Sequence, residues 1–140
     1  MLSLTADTNI YISALNFGGQ PLRLLDLARA GIVRIDISEP ILDEVLRVLR
    51  DKFRWDAAML SEAEDLISGF TRRVAPTKEI DTIKEDPPDN RVLECAEEAA
   101  SDFIVTGDRH LLRLGNHFAI PIVRVTDLLS TEPPQLHPRR

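Results

Sequence analysis

Short β-branched apolar runs alternate with longer stretches of helical periodicity, and this alternation limits the possible folds more tightly than any single residue does. Residues 2–6, 32–38, 103–106 and 120–125 read as strands, the second through its Ile-Val-Arg-Ile-Asp-Ile pattern. Residues 8–15, 22–30, 40–52, 56–70, 90–100 and 108–114 read as helices, with one more helical turn at 126–129. Gly18-Gly19 and Gly31 end the first two helices. Ser38-Glu39-Pro40 starts the third, with serine as N-cap and proline in the first turn. The stretch 73–83 is polar and mixed, with room for one short strand. Strands alternating with helices predict an α/β fold, a mostly parallel sheet covered by helices on both faces.

At 140 residues the chain fits one domain with a single core, so it needs no disulfide or structural metal to fold. That domain is expected to cover residues 1–130, with 131–140, which holds Pro133, Pro134 and Pro138, as a loose tail. One cysteine, Cys95, excludes an internal disulfide framework and a cysteine zinc site, and Cys95 itself reads as a small core residue. His110, His117 and His137 are too scattered for a histidine metal site. No apolar run could span a bilayer, and the start MLSLTADTNIYIS lacks the basic region of a signal peptide, so the expected location is cytoplasmic. The net charge of -6 argues against a passive nucleic-acid coat. It leaves open an enzyme that holds cations with carboxylates and meets a polyanion through a local basic strip.

In an open α/β sheet the working site lies outside the carboxyl ends of the strands. Asp7 follows the first strand, and Asp108 follows the 103–106 strand after one glycine. Glu44 lies near the start of the 40–52 helix, at the margin of the apolar face formed by Ile41, Leu42, Val45, Val48 and Leu49. Asp89 stands at a helix start and projects toward the face of Val92, Leu93 and Ala96, whereas Glu94, Glu97 and Glu98 mostly project away. Each carboxylate alone could be a helix cap, and for Asp89 cap and functional group are equally good explanations. Four at one sheet edge repel one another, and hard divalent cations such as Mg²⁺ or Mn²⁺ relieve that repulsion.

These residues resemble the PIN-domain nucleases, and within them the VapC-like toxins of toxin–antitoxin systems. Ala6-Asp7-Thr8-Asn9 resembles the family's opening block, and the 40–49 helix carries its glutamate at Glu44. Asp86-Pro87-Pro88-Asp89-Asn90-Arg91-Val92-Leu93-Glu94-Cys95-Ala96 resembles the D-P-x-D-N-x-x-L-x-x-A block, and Val105-Thr106-Gly107-Asp108-Arg109-His110-Leu111-Leu112 the VTGD-x-x-L-L block. The blocks run in the family's order from the first strand to about Leu129. Pro88 stands where the family often has another acidic residue.

The resemblance implies a three-layer α/β/α sandwich and a Mg²⁺- or Mn²⁺-dependent endoribonuclease leaving 5′-phosphate and 3′-hydroxyl ends. Asp7, Glu44, Asp89 and Asp108 would be its catalytic and metal-binding carboxylates, with Asn9 and Thr106 as supporting polar groups. Asp86 would support the ligands or form the turn. The partners implied are RNA, a small antitoxin and a second copy of the chain. Arg47, Arg50, Lys52 and Arg54 beside Trp55, with Arg109 and Arg113 near Asp108, are candidates to meet RNA, though solvated helix charge explains them as well. His110 reads as partly exposed and structural.

One rival is a PIN fold that binds RNA or protein without cutting, which would need a missing carboxylate. A phosphoacceptor domain would need an acidic pair at the first strand and a late lysine, where Asp7 stands alone and Arg124 is the nearest late-strand cation. A dehalogenase-type phosphatase would need an aspartate where Asn9 stands.

Overall fold

The computed structural model describes residues 1–130; the tail expected at 131–140 lies outside the described residues. The elements run β1 (Leu2–Ala6), α1 (Thr8–Phe17), α2 (Gly19–Arg29), β2 (Val33–Ser38), α3 (Glu39–Asp51), α4 (Ala57–Phe70), β3 (Thr71–Val74), α5 (Asp89–Ala99), β4 (Phe103–Val105), α6 (Arg109–Leu114), β5 (Asn116–His117), β6 (Ile120–Val123) and α7 (Val125–Leu129). The strands form one sheet in the order β3-β2-β1-β4-β6-β5. All pairs are parallel except β5 with β6. Sheet and helices make the expected mostly parallel α/β/α fold. Two strands differ from the sequence reading: β3 begins at Thr71, before the polar stretch, and β5 is an antiparallel addition that two residues gave no pattern to reveal.

Alternation along β1 sorts its side chains between the two faces. Thr5 faces α5, where its hydroxyl lies 3.8 Å from Cys95 Sγ, and Leu2, Leu4 and Ala6 enter the opposite side of the core. Helix α5 packs on β1, β2, β3 and β4, while α1, α2, α3 and α4 pack on one another. Cys95 is fully buried, and burial pushes its thiol up to about 12.

One charge sits inside this sheet. Asp36 of β2 is fully buried and accepts Arg34 Nε at 3.0 Å, Arg72 Nε at 3.1 Å and Ser101 Oγ at 2.9 Å. A buried carboxylate requires such partners. Arg72 also donates to Ala99 O at 3.3 Å, which ties β3 to the end of α5.

The chain passes from β1 to β2 and β3 on one side, then returns to place β4 on the other. Adjacent parallel strands that depart in opposite directions leave a crevice at their carboxyl ends, here between β1 and β4. The long segment before α5 is held against that crevice by Asn90. Its Oδ1 accepts Ile83 N–H at 2.8 Å, and its Nδ2 donates to Ile83 O at 2.8 Å and Pro87 O at 3.0 Å. Glu94, expected to point away, is instead buried and accepts Ile80 N–H and Arg91 Nη2, each at 2.8 Å. Asn90→Ala leaves buried backbone groups of Ile83 without partners, so urea unfolding is expected to show a loss of about 2–3 kcal/mol. An unchanged unfolding midpoint would refute the clasp.

Candidate functional site

One threonine joins the acidic residues that follow β1 and β4. Asp7 caps α1, its Oδ1 accepting Ile10 N–H at 3.2 Å, and its Oδ2 accepts the Thr106 hydroxyl. The N–H of Asp108 donates to the same Thr106 oxygen at 2.9 Å. Asp108 caps α6, its Oδ1 accepting His110 N–H at 2.8 Å and Leu111 N–H at 3.1 Å. Both residues are therefore helix caps and stand at the crevice as well.

Asp89 has no such partners. It is the first residue of α5, Pro88 occupies the cap position, and no side chain caps this helix. The cap explanation for Asp89 is thereby removed. Asp89 is 8 % exposed, and its buried Oδ2 has no hydrogen-bond partner among the described residues.

Carboxylate oxygens of Asp86, Asp89 and Asp108 lie within 4.8 Å of one another. Asp86 is brought there by a turn in which its C=O accepts Asp89 N–H at 3.0 Å. Pro87 and Pro88 fix φ in between, so the two aspartates share one side of the turn. The signal for Asp86 was present in the Asp-Pro-Pro-Asp spacing, but the turn that makes it meaningful is a three-dimensional fact. A cleft of ≈ 170 Å³ opens over Asp7, Asn9, Glu44, Asp86 and Asp89. Glu44 lies on its wall, with Oε1 and Oε2 held by Arg47 at 2.5 and 3.3 Å. Three convergent carboxylates, one of them buried without a donor, fit a hard divalent cation with oxygen preference.

The expected RNA-facing cations occupy several environments. Arg47 pairs with Glu44 and Asp51, and Arg50 with Asp51. Arg54 and Arg109 are exposed, Trp55 is half-buried against the core, and His110 is half-buried. A second cleft of ≈ 260 Å³ adjoins the first through Asn9 and is lined by Gln20, Thr106, Gly107 and Arg124. Arg124 is exposed, and like Arg109 has no ion-pair partner among the described residues. Its role at this rim was invisible in sequence because it depends on β6 lying next to β4.

Burial and neighbouring charge act together on the aspartates. Burial raises Asp7 to about 6; the bonds from Thr106 and Ile10 oppose the shift, and the charge of Asp108 adds to it. Burial likewise raises Asp89 to about 8, reinforced by its contact with Asp108 and by the charges of Asp108, Asp86 and Asp7. An aspartate unfolded at about 3.9 but raised in the folded state binds more protons when folded between those two values. Stability of the cation-free protein therefore declines as pH rises from about 4 toward 8 and levels off above, where both states are ionised. Thermal melts in EDTA are expected to show a lower Tm at pH 8 than at pH 5.5, with the slope reduced in Asp89→Asn. A slope unchanged by Asp89→Asn would contradict this account.

The PIN domain family model matches residues 4–110. No curated protein matches the sequence. Among solved structures, the chain is similar to one in the crystal structure of VapBC2 from Rickettsia felis bound to a DNA fragment from their promoter. The TM-score is 0.60 at 14% identity, over 87% of this chain and 97% of that one.

Proposed function

The chain belongs to the PIN domain family, and on that footing we propose that it is a metal-dependent endoribonuclease, the toxin of a toxin–antitoxin pair. The observation that carries this reading is Asp89. A buried carboxylate without a donor, crowded by Asp86 and Asp108, destabilises the fold and is relieved by a cation.

In this reading Mg²⁺ or Mn²⁺ is held at the cluster of Asp89 and Asp108, with Asp7 and Glu44 beside it on the same cleft. A divalent cation there supplies a water of lowered pKa and offsets charge on the transferring phosphoryl group. Thr106 keeps Asp7 and Asp108 at a fixed separation, through its hydroxyl to Asp7 and its oxygen to the N–H of Asp108. Asp7, raised to about 6 by burial in the cation-free chain, would be held ionised by a cation beside it. Asn9 at the exposed rim can hydrogen-bond a phosphate or ribose. Arg109 and Arg124, free of ion pairs among the described residues, supply the positive charge that an RNA backbone needs beside an acidic centre. The likeness to VapBC2 supports a small antitoxin as protein partner. A second copy of the chain and a cytoplasmic place of action belong to the same reading.

The test is cleavage of single-stranded and structured RNAs by the purified chain with Mn²⁺ or Mg²⁺, with EDTA as control. Asp89→Asn is expected to lower the rate about 100-fold or more, beyond what loss of a merely orienting group costs. Arg124→Ala is expected to raise KM with a smaller effect on kcat. Cleavage that persists in EDTA, or at full rate in Asp89→Asn, would overturn the assignment.

A further inference from the structure

We propose that Asp86 is a direct cation ligand in this chain, seated with Asp89 and Asp108, and that Arg47 holds Glu44 back from the cation. The assignment rests on the metal-dependent reading above and concerns which of this chain's own oxygens are available.

Hydrogen bonding divides the carboxylates into two groups. Both oxygens of Asp7 are engaged, one by Ile10 N–H and one by the Thr106 hydroxyl. Both oxygens of Glu44 are engaged by the Arg47 guanidinium. Each Asp7 oxygen keeps a lone pair beside its one donor and can still face a cation, whereas Glu44 can approach one only in competition with the charge of Arg47. Asp108 spends one oxygen on the start of α6 and keeps Oδ2. Asp89 Oδ2 is buried and unpartnered. The side chain of Asp86 has no hydrogen-bond or ion-pair partner among the described residues. The uncommitted oxygens therefore belong to Asp86, Asp89 and Asp108, the three residues whose carboxylates converge within 4.8 Å.

Asp86 does form the turn, but with its backbone and not its side chain. An aspartate side chain that shapes a turn accepts a backbone N–H two or three residues on. Here the backbone C=O of Asp86 takes the Asp89 N–H, and the side chain is left over. Two prolines hold it beside a buried carboxylate, a placement that costs repulsion and forms no bond in the cation-free chain. A ligand is the role that uses this placement.

The experiment is a titration of Mn²⁺ alone into the full chain, followed by the electron-spin signal of free Mn²⁺. Wild type, Asp86→Asn and Glu44→Gln are compared, and each is melted with and without Mn²⁺. Asp86→Asn is expected to weaken Mn²⁺ binding about 100-fold or more, beyond what loss of a group that only orients a ligand costs. Glu44→Gln is expected to weaken it less than about threefold, as suits a half-buried group already paired with Arg47. Without Mn²⁺ the Tm of Asp86→Asn is expected to equal or exceed that of wild type, because repulsion of Asp89 is relieved. The Mn²⁺-induced rise in its Tm should shrink. A loss of less than about 100-fold in Asp86→Asn, or a larger loss in Glu44→Gln, would overturn the assignment and leave the nuclease reading intact. A lower cation-free Tm with unchanged affinity would mark Asp86 as a structural residue. No Mn²⁺ uptake by wild type would instead sink the metal reading itself. Should Asp86→Asn fail to fold, Asp86→Ser carries the same comparison.

Discussion

Like-charge repulsion governs this fold, and the chain answers it in two opposite ways. Within the sheet, Asp36 is fully buried and surrounded by Arg34, Arg72 and Ser101. Its charge is cancelled by the protein's own cations, and the network it forms ties β2, β3 and the end of α5 together. At the crevice between β1 and β4 no cation among the described residues pairs with Asp86, Asp89 or Asp108. Arg47, on the wall helix α3, is spent on Glu44. Three aspartates are thus left with their repulsion unrelieved. The fold pairs arginine with the buried carboxylate of the sheet and leaves the aspartates of the cleft unpaired.

The supports around the crevice follow from this. A cluster that repels itself must be anchored through other atoms. Asp7 and Asp108 are anchored by helix-start N–H groups and by one shared threonine. Asp86 and Asp89 are anchored by a proline turn and by Asn90, whose amide clasps the preceding loop at Ile83 and Pro87. None of these anchors occupies the space where the free carboxylate oxygens meet.

What was legible in the sequence was whatever local pattern encodes. Four strands, the helices and the alternating order of the two could be read from periodicity, and Asp7 and Asp108 stood out because an acidic residue directly follows an apolar run. The four blocks that resemble PIN domains could be read in order. Less visible was anything set by neighbours distant in the chain. The edge strand β5 has two residues and no periodicity. Glu94 looked solvent-facing by helix angle, but the loop that passes over it supplies Ile80 N–H as a partner, while Arg91 pairs with it from the preceding turn of α5. Glu44 lies at the margin of the apolar face of α3, as its helix angle indicates, and its pair with Arg47 is an i,i+3 contact that the spacing allows. Asp86 and Arg124 gain their positions from a turn and from a strand order, both of which exist only once the sheet is assembled.

The bonds that tie β1 to β4 at their amino and carboxyl ends join residues very far apart in the chain. Ser3 to Asp102 and Thr106 to Asp7 each span 99 positions. During translation, β1, β2 and β3 can associate as soon as they emerge, but β1 waits for β4 on its other side. Until β4 is delivered, Asp7 has no Thr106 and the aspartates from the second half of the chain have nowhere to gather. The acidic cluster is therefore assembled late in the chain's order of emergence, after β1, β2 and β3 and only once β4 has joined the sheet.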